Sequence, residues 1–165
     1  TVIREVSNKM NMESKPITGL ANSDDDVAIT IKEINNDINL LSDLFESVAK
    51  KRINIDMISQ TAPVDNKVNI SFTIPKTDLK ECLDIIEKFY SNKDNIAIDQ
   101  DITKFSIVGI GMKTTSGVAA KVFKIFKQNK IEVKMITTSE IRITCAIKQE
   151  DKQRAIELIA TEFNL

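Results

Sequence analysis

The residues best placed for chemistry are Gly109-Ile-Gly-Met-Lys-Thr-Thr-Ser-Gly-Val-Ala119, a glycine-bearing run between an apolar strand pattern and an apolar helix pattern. A helix beginning here leaves the N–H groups around Gly117, Val118 and Ala119 without intrahelical acceptors, and its dipole adds partial positive charge at the same place. Such a start holds a small anion, for example a carboxylate, and a glycine lets that anion approach the backbone closely. It does not match a nucleotide phosphate loop, because Gly117 is followed by Val118 and Ala119 where Lys and Ser or Thr would be needed. No acidic residue is placed to hold a ribose either. The plainer reading is a strand-to-helix turn capped by Ser116. A second polar cluster, Thr137-Thr-Ser-Glu-Ile141, falls where two strand patterns meet. Its earlier counterpart is Ser59-Gln-Thr-Ala-Pro63, in which Gln60 can both donate and accept hydrogen bonds. As plain turn residues, both would simply be solvated.

Little else in the 165 residues is equipped for catalysis. Histidine is absent, which removes the commonest general base and the commonest zinc ligand together. Cys82 and Cys145 have no CxxC partner and fall at apolar positions of their elements, so they read as small buried hydrophobes. Charge is balanced at 23 basic against 24 acidic residues, which gives no electrostatic footprint for nucleic acid or anionic lipid. No apolar run approaches the ~20 residues of a membrane span, and Thr1-Val-Ile-Arg-Glu-Val lacks a signal-peptide pattern, so a cytoplasmic chain is expected.

The elements that must position these clusters repeat at an offset of 78 residues: Ile53-Asn-Ile-Asp-Met57-Ile58 returns as Ile131-Glu-Val-Lys-Met135-Ile136, Phe45 as Phe123 and Ile29 as Ile107. In the first copy, Val27, Ile29 and Ile31 alternate as a strand. Ile38, Leu41, Phe45 and Val48 mark a helix capped by Asn36 or Asp37. Strands follow at 53 to 60 and 68 to 74, then a helix capped by Thr77 or Asp78 with Leu79, Cys82, Leu83, Ile86, Phe89 and Tyr90 on its apolar face, and a short strand at Ile96 and Ile98. This βαββαβ order is ferredoxin-like: a four-stranded antiparallel sheet with both helices on one face. The second copy offers a strand at 104 to 110, a helix from 117 to 129, strands at 131 to 138 and 140 to 147, and a last helix, but no final strand. An open edge is costly. The one extended segment left over, Lys15-Pro-Ile-Thr-Gly-Leu-Ala21, is therefore expected to complete it, with the first unit inserted within the second. Residues 1 to 14 read as a connector, 23 to 101 as the first unit, and 15 to 22 plus 102 to 165 as the second. Apolar pairs such as Met57-Ile58, Met135-Ile136 and Ile107-Val108 break strict alternation, and such two-sided strands suggest a homo-oligomer.

The run from Val108 to Phe123, followed by Met135-Ile-Thr-Thr-Ser-Glu-Ile141, resembles the second ACT module of aspartate kinases. Ile53-Asn-Ile-Asp-Met-Ile-Ser-Gln60 and Ser71-Phe-Thr-Ile-Pro75 resemble their first ACT module, and Lys15 to Ala21 resembles the segment that opens this region. The resemblance covers residues 13 to 165. It implies an α+β fold of two ferredoxin-like ACT modules, the first inserted in the second. It also implies a regulatory region that binds lysine, threonine or both between modules of a homodimer, and so inhibits aspartate phosphorylation. The chemistry would belong to an amino-terminal kinase domain outside this sequence, with ATP and magnesium expected only there. No cofactor, catalytic residue or metal is implied in this region. Matched by motif, the second-module effector residues are Met112, Thr115, Gly117, Val118, Ala119, Ser139 and Glu140. Those of the first module are Asn36, Asp37, Asn39, Leu40 and Gln60.

The first module departs from the family pattern. Where the family has Asp-Lys-Pro-Gly before its helix, this chain has Asn36-Asp-Ile-Asn39, losing the glycine, the proline and the usual place of the acid. Asn39 tolerates left-handed backbone angles but adds a side chain where a ligand carboxylate would approach. The alternative reading is an ACT-type dimerisation scaffold in which one or both effector sites are lost. An RNA-binding module of similar topology would need exposed aromatics and a basic face, and the central strands offer mainly Phe72.

Overall fold

The computed structural model describes residues 16–113 and 115–165. The connector expected over residues 1 to 14, and Lys15, lie outside the described residues. The elements in chain order are β1 (Gly19–Ser23), β2 (Asp26–Asn35), α1 (Ile38–Lys50), β3 (Ile58–Gln60), β4 (Lys67–Pro75), α2 (Leu79–Phe89), β5 (Ile96–Asp99), β6 (Thr103–Val108), α3 (Val118–Gln128), β7 (Val133–Thr138), β8 (Arg142–Ile147) and α4 (Lys152–Phe163). They form two compact units: Ser23–Thr103, and residues 16–22 together with Lys104–Leu165. Each holds a four-stranded sheet, in the order β3-β4-β2-β5 in the first and β1-β6-β8-β7 in the second. In the second sheet β1 lies beside β6 as β5 lies beside β2 in the first. The segment before the first unit thus closes the second, and the insertion expected from the missing strand is present.

The first sheet is built on cross-strand apolar pairs: Val27 faces Ile74, Ile29 faces Phe72 and Ile31 faces Ile70, all buried against the helices. Strict alternation would then turn Ile34 outward. A bulge between Ile31 and Ile34 prevents this, with Glu33 at φ 55° and its N–H donating to Asn69 Oδ1 at 2.9 Å, so that Ile34 returns to the core opposite Val68. The strand therefore runs four residues beyond the alternating Val27, Ile29 and Ile31. The strand expected from residue 53 is a ladder only over Ile58–Gln60. Before it, Asp56 N–H donates to Thr73 O, Thr73 N–H donates to Met57 O, and Met57 N–H donates to Thr73 Oγ1 at 3.1 Å, outside any regular ladder. Phe72 is fully buried and meets Phe45 edge to face at 5.7 Å, so it offers no surface for base stacking.

α1 buries Leu41, Leu44 and Val48, and α2 buries Cys82, Ile85 and Ile86. Neither Thr77 nor Asp78 caps α2 with its side chain; a 3-10 turn over Lys76–Asp78 precedes the helix instead. In the second unit Phe105 and Ile107 pack with Val122, Phe126, Cys145 and Ile159. Both cysteines are buried, and burial pushes the Cys82 thiol up to about 11 and that of Cys145 up to about 12. Among the described residues no helix is long and apolar enough to cross a membrane.

The repeat is clearest where the first helix of each unit ends. Arg52 and Lys130, 78 residues apart, are both left-handed at φ 59° and 55°. Arg52 N–H bonds Ala49 O and Ile53 N–H bonds Val48 O, while Lys130 N–H bonds Lys127 O and Ile131 N–H bonds Phe126 O. These are the paired bonds of a Schellman motif, each sealed by a buried isoleucine.

Candidate functional site

β6 ends at Val108, two residues earlier than the alternation predicts, because Gly109 is held too tightly to continue it. Its N–H donates to Ile141 O at 2.9 Å, and on its other side the chain before β1 passes so close that a Cβ would stand 2.1 Å from Pro16 O. Only glycine fits there. Thr18 N–H donates to Val108 O at 2.8 Å, so β6, the β1 segment and the turn between β7 and β8 are bound together at one point. This brings the two polar clusters of the second unit side by side.

After Gly109 a 3-10 turn spans Ile110–Lys113, and the chain then turns into α3 through Gly117 at φ 84°. Gly117, not Ser116, occupies the cap position. Glycine adopts this angle without steric cost, and a Cβ added here would meet nothing within 4 Å. The side with a side chain missing is open space. Gly117 contributes no capping side chain, while its carbonyl already accepts from Lys121 N–H at 3.0 Å. The N–H groups of the first helical turn are thus presented to whatever occupies that space.

At this helix start lies a cavity of about 260 Å³ lined by Met112, Thr115, Gly117, Val118, Ala119, Thr138, Ser139 and Ile143. Six of the seven second-module residues named from sequence line it. Glu140 does not; it lies in the adjoining turn, where Ser139 N–H bonds Arg142 O and Ile141 N–H bonds Ser139 Oγ. Thr138 belongs to the polar cluster singled out from the sequence but was not among the motif-matched residues, and Ile143 was not foreseen. They face each other across β7 and β8, on the same face as the Ile136 and Cys145 pair, so continuing the alternation from that pair reaches both. None of the lining residues carries a charge; the wall offers backbone N–H dipoles, three hydroxyls and the apolar side chains of Met112, Val118 and Ile143. Across the same helix start a second cavity reaches Lys121, whose ammonium is already paired with Glu162 at 2.6 Å and sits over the Phe163 ring at 5.2 Å.

The first-unit residues are arranged differently. Asp37, not Asn36, caps α1: its Oδ1 accepts from Asn39 N–H at 2.9 Å and from Asn39 Nδ2 at 3.2 Å. Asn36 N–H is tied to Asn66 O at 2.9 Å. Leu40 packs against the core of its own unit, and Gln60 ends the exposed edge strand β3 opposite Ile70. The structure brings Asn36, Asp37 and Asn39 together, but with the acid turned onto the helix.

Comparison with known proteins bears on the fold that carries these residues. The family model described as ACT domain matches residues 27–89 and 105–163. The chain is 34% identical over 154 residues to the aspartokinase of Helicobacter pylori, covering 93% of this chain and 38% of that protein. It is 34% identical over 168 residues to that of Bacillus sp. strain MGA3, covering 100% of this chain and 40% of that protein. The chain therefore spans about two fifths of the length of these curated relatives. Among solved structures, the regulatory subunit of aspartate kinase from Thermus thermophilus is 30% identical, with a TM-score of 0.82, covering 90% of this chain and 99% of that one. The matched segment is the regulatory subunit or region of these proteins, not their kinase domain. The chain belongs to the ACT domain family, as a tandem-ACT regulatory region of the aspartokinase type.

Proposed function

We propose that this region binds a free amino acid of the aspartate family, threonine or lysine, at the start of α3, and that occupancy regulates phosphorylation of aspartate by an associated kinase domain. The observation that carries the reading is the cavity at Gly117. A ligand carboxylate would take the N–H groups at Gly117, Val118 and Ala119, stabilised by the helix dipole and by charge-assisted hydrogen bonds. The hydroxyls of Thr115, Thr138 and Ser139 would meet its ammonium or side-chain polar groups. A homodimer would close the open side of the cavity, and the ligand would favour one dimer arrangement by its differential affinity for it. Isothermal titration with threonine and with lysine, followed by sedimentation with and without ligand, tests this. Saturable heat with either amino acid supports the reading; no heat and no change in oligomer size with any aspartate-family amino acid sinks it. A dimerisation scaffold is the second reading, favoured by the self-capped helix start of the first unit.

A further inference from the structure

The two units share the end of their first helix but not its beginning. α1 and α3 finish at Lys50 and Gln128, 78 residues apart, in the same Schellman motif. By that offset the residue equivalent to the cap Gly117 is Asn39, yet α1 starts at Ile38 behind the cap Asp37. The first helix is thus two residues longer at its start, which advances it by about 3 Å into the region left open in the second unit. Two side chains stand in that region. Ile38 projects into solvent at 76% exposure, and Asp37 turns back so that one carboxylate oxygen accepts both the backbone and the side-chain N–H of Asn39.

We infer that Asp37 occupies, in the first unit, the place that an effector carboxylate takes in the second, so that each protomer binds one amino acid, at Gly117 to Ala119, and none at Asp37 to Leu40. The inference rests on the amino-acid reading above. Its physical content is that the donor equivalent to the open N–H of Gly117 is already satisfied by a carboxylate of the chain. An incoming carboxylate would find its hydrogen bond taken and a like charge within a few ångströms.

The test is the stoichiometry of the unmodified chain, titrated separately with threonine and lysine by calorimetry, with backbone amide shifts recorded over the same titration. One amino acid per protomer, with the largest shifts at Gly117, Val118 and Ala119, is the expected result. Two per protomer overturns the inference while leaving the amino-acid reading intact. So does one per protomer with the largest shifts at Ile38, Asn39 and Leu40 and none at Gly117. Binding of neither amino acid overturns the amino-acid reading itself, and this inference with it.

Discussion

Gly117 is the position where conformational cost and ligand binding can be separated. It sits at φ 84°, where an L-residue is strained by about 1–2 kcal/mol, and a Cβ there meets no protein atom within 4 Å. Gly117→Ala therefore clashes with nothing and acts only through the backbone. The unliganded variant relieves its strain by rotating φ to negative values, which turns the N–H groups of the helix start away from the cavity. Binding must then restore the strained geometry, so the dissociation constant rises by the same 1–2 kcal/mol, or about 5- to 30-fold, and stability falls by no more than that amount. Gly117→Val adds a branched carbon on the open side of the backbone and removes at least one charge-assisted hydrogen bond, about 1.5–3 kcal/mol, or roughly 10- to 150-fold. Gly117→Asn, which tolerates the left-handed region, should fall closest to wild type. Calorimetric affinity set beside a urea melt for each variant gives both quantities. Variants that lose 1–2 kcal/mol of stability yet bind threonine and lysine as tightly as wild type would refute the reasoning, because the helix start would then be a structural turn and nothing more.

Gly109→Ala should be the most damaging single methyl in the second unit, since it drives a carbon to 2.1 Å from Pro16 O and 2.7 Å from Ile17 Cα; a melt should show the second unit destabilised by several kcal/mol with the first retained. Asp37→Ala removes the cap of α1 and should cost about 1 kcal/mol, read as earlier exchange of the first-unit amides. Arg52→Gly and Lys130→Gly place glycine at left-handed helix ends and should each stabilise by up to about 1 kcal/mol in thermal melts. Cys82 and Cys145 should resist a thiol reagent at pH 8 in the native state and react fully in denaturant. Burial is the main cause raising both folded pKa values above the ordinary 9.0, so their contribution to stability is complete below pH 9. It is lost as pH rises through about 11 and 12, and a series of alkaline melts should fall in that window.

The sheet pattern was legible because burial on one face imposes a period of two, and the repeat fixed which strands were equivalent. What escaped the pattern were places where a single backbone angle overrides the period. Glu33 at φ 55° carries Ile34 back to the core, and nothing in the side chains of residues 32 to 35 announces it. Gly109 ends β6 early because of a chain more than ninety residues earlier in the sequence, a contact invisible to any local window. In the site, glycine at 117 was readable as an opening. Ser116 as cap was the local expectation, and it failed because a left-handed glycine reorients the turn. Ile143 was hidden by attention to the polar cluster alone, while the cavity wall is set by which residues share one face of β7 and β8, where Ile143 pairs with Thr138.

Duplication followed by divergence at one helix end gives the two units different physical roles. Replacing a helix end that packs into the core would break the Schellman bonds and the burial of Ile53 or Ile131, so that end is constrained in both units alike. At the helix start Ile38 stands exposed, and there the first helix carries two residues more than the second. A glycine cap leaves such a start open, because it brings no side chain to the N–H groups, as at Gly117. Asp-Ile-Asn at 37 to 39 does the reverse: the aspartate satisfies the orphan N–H, and the helix grows by two residues over the space. The N–H that Asp37 caps at α1 is the one that an anion would otherwise need, so cap and anion compete for the same hydrogen bond. A unit cannot have both, and in this chain the first unit has taken the cap while the second has kept the opening.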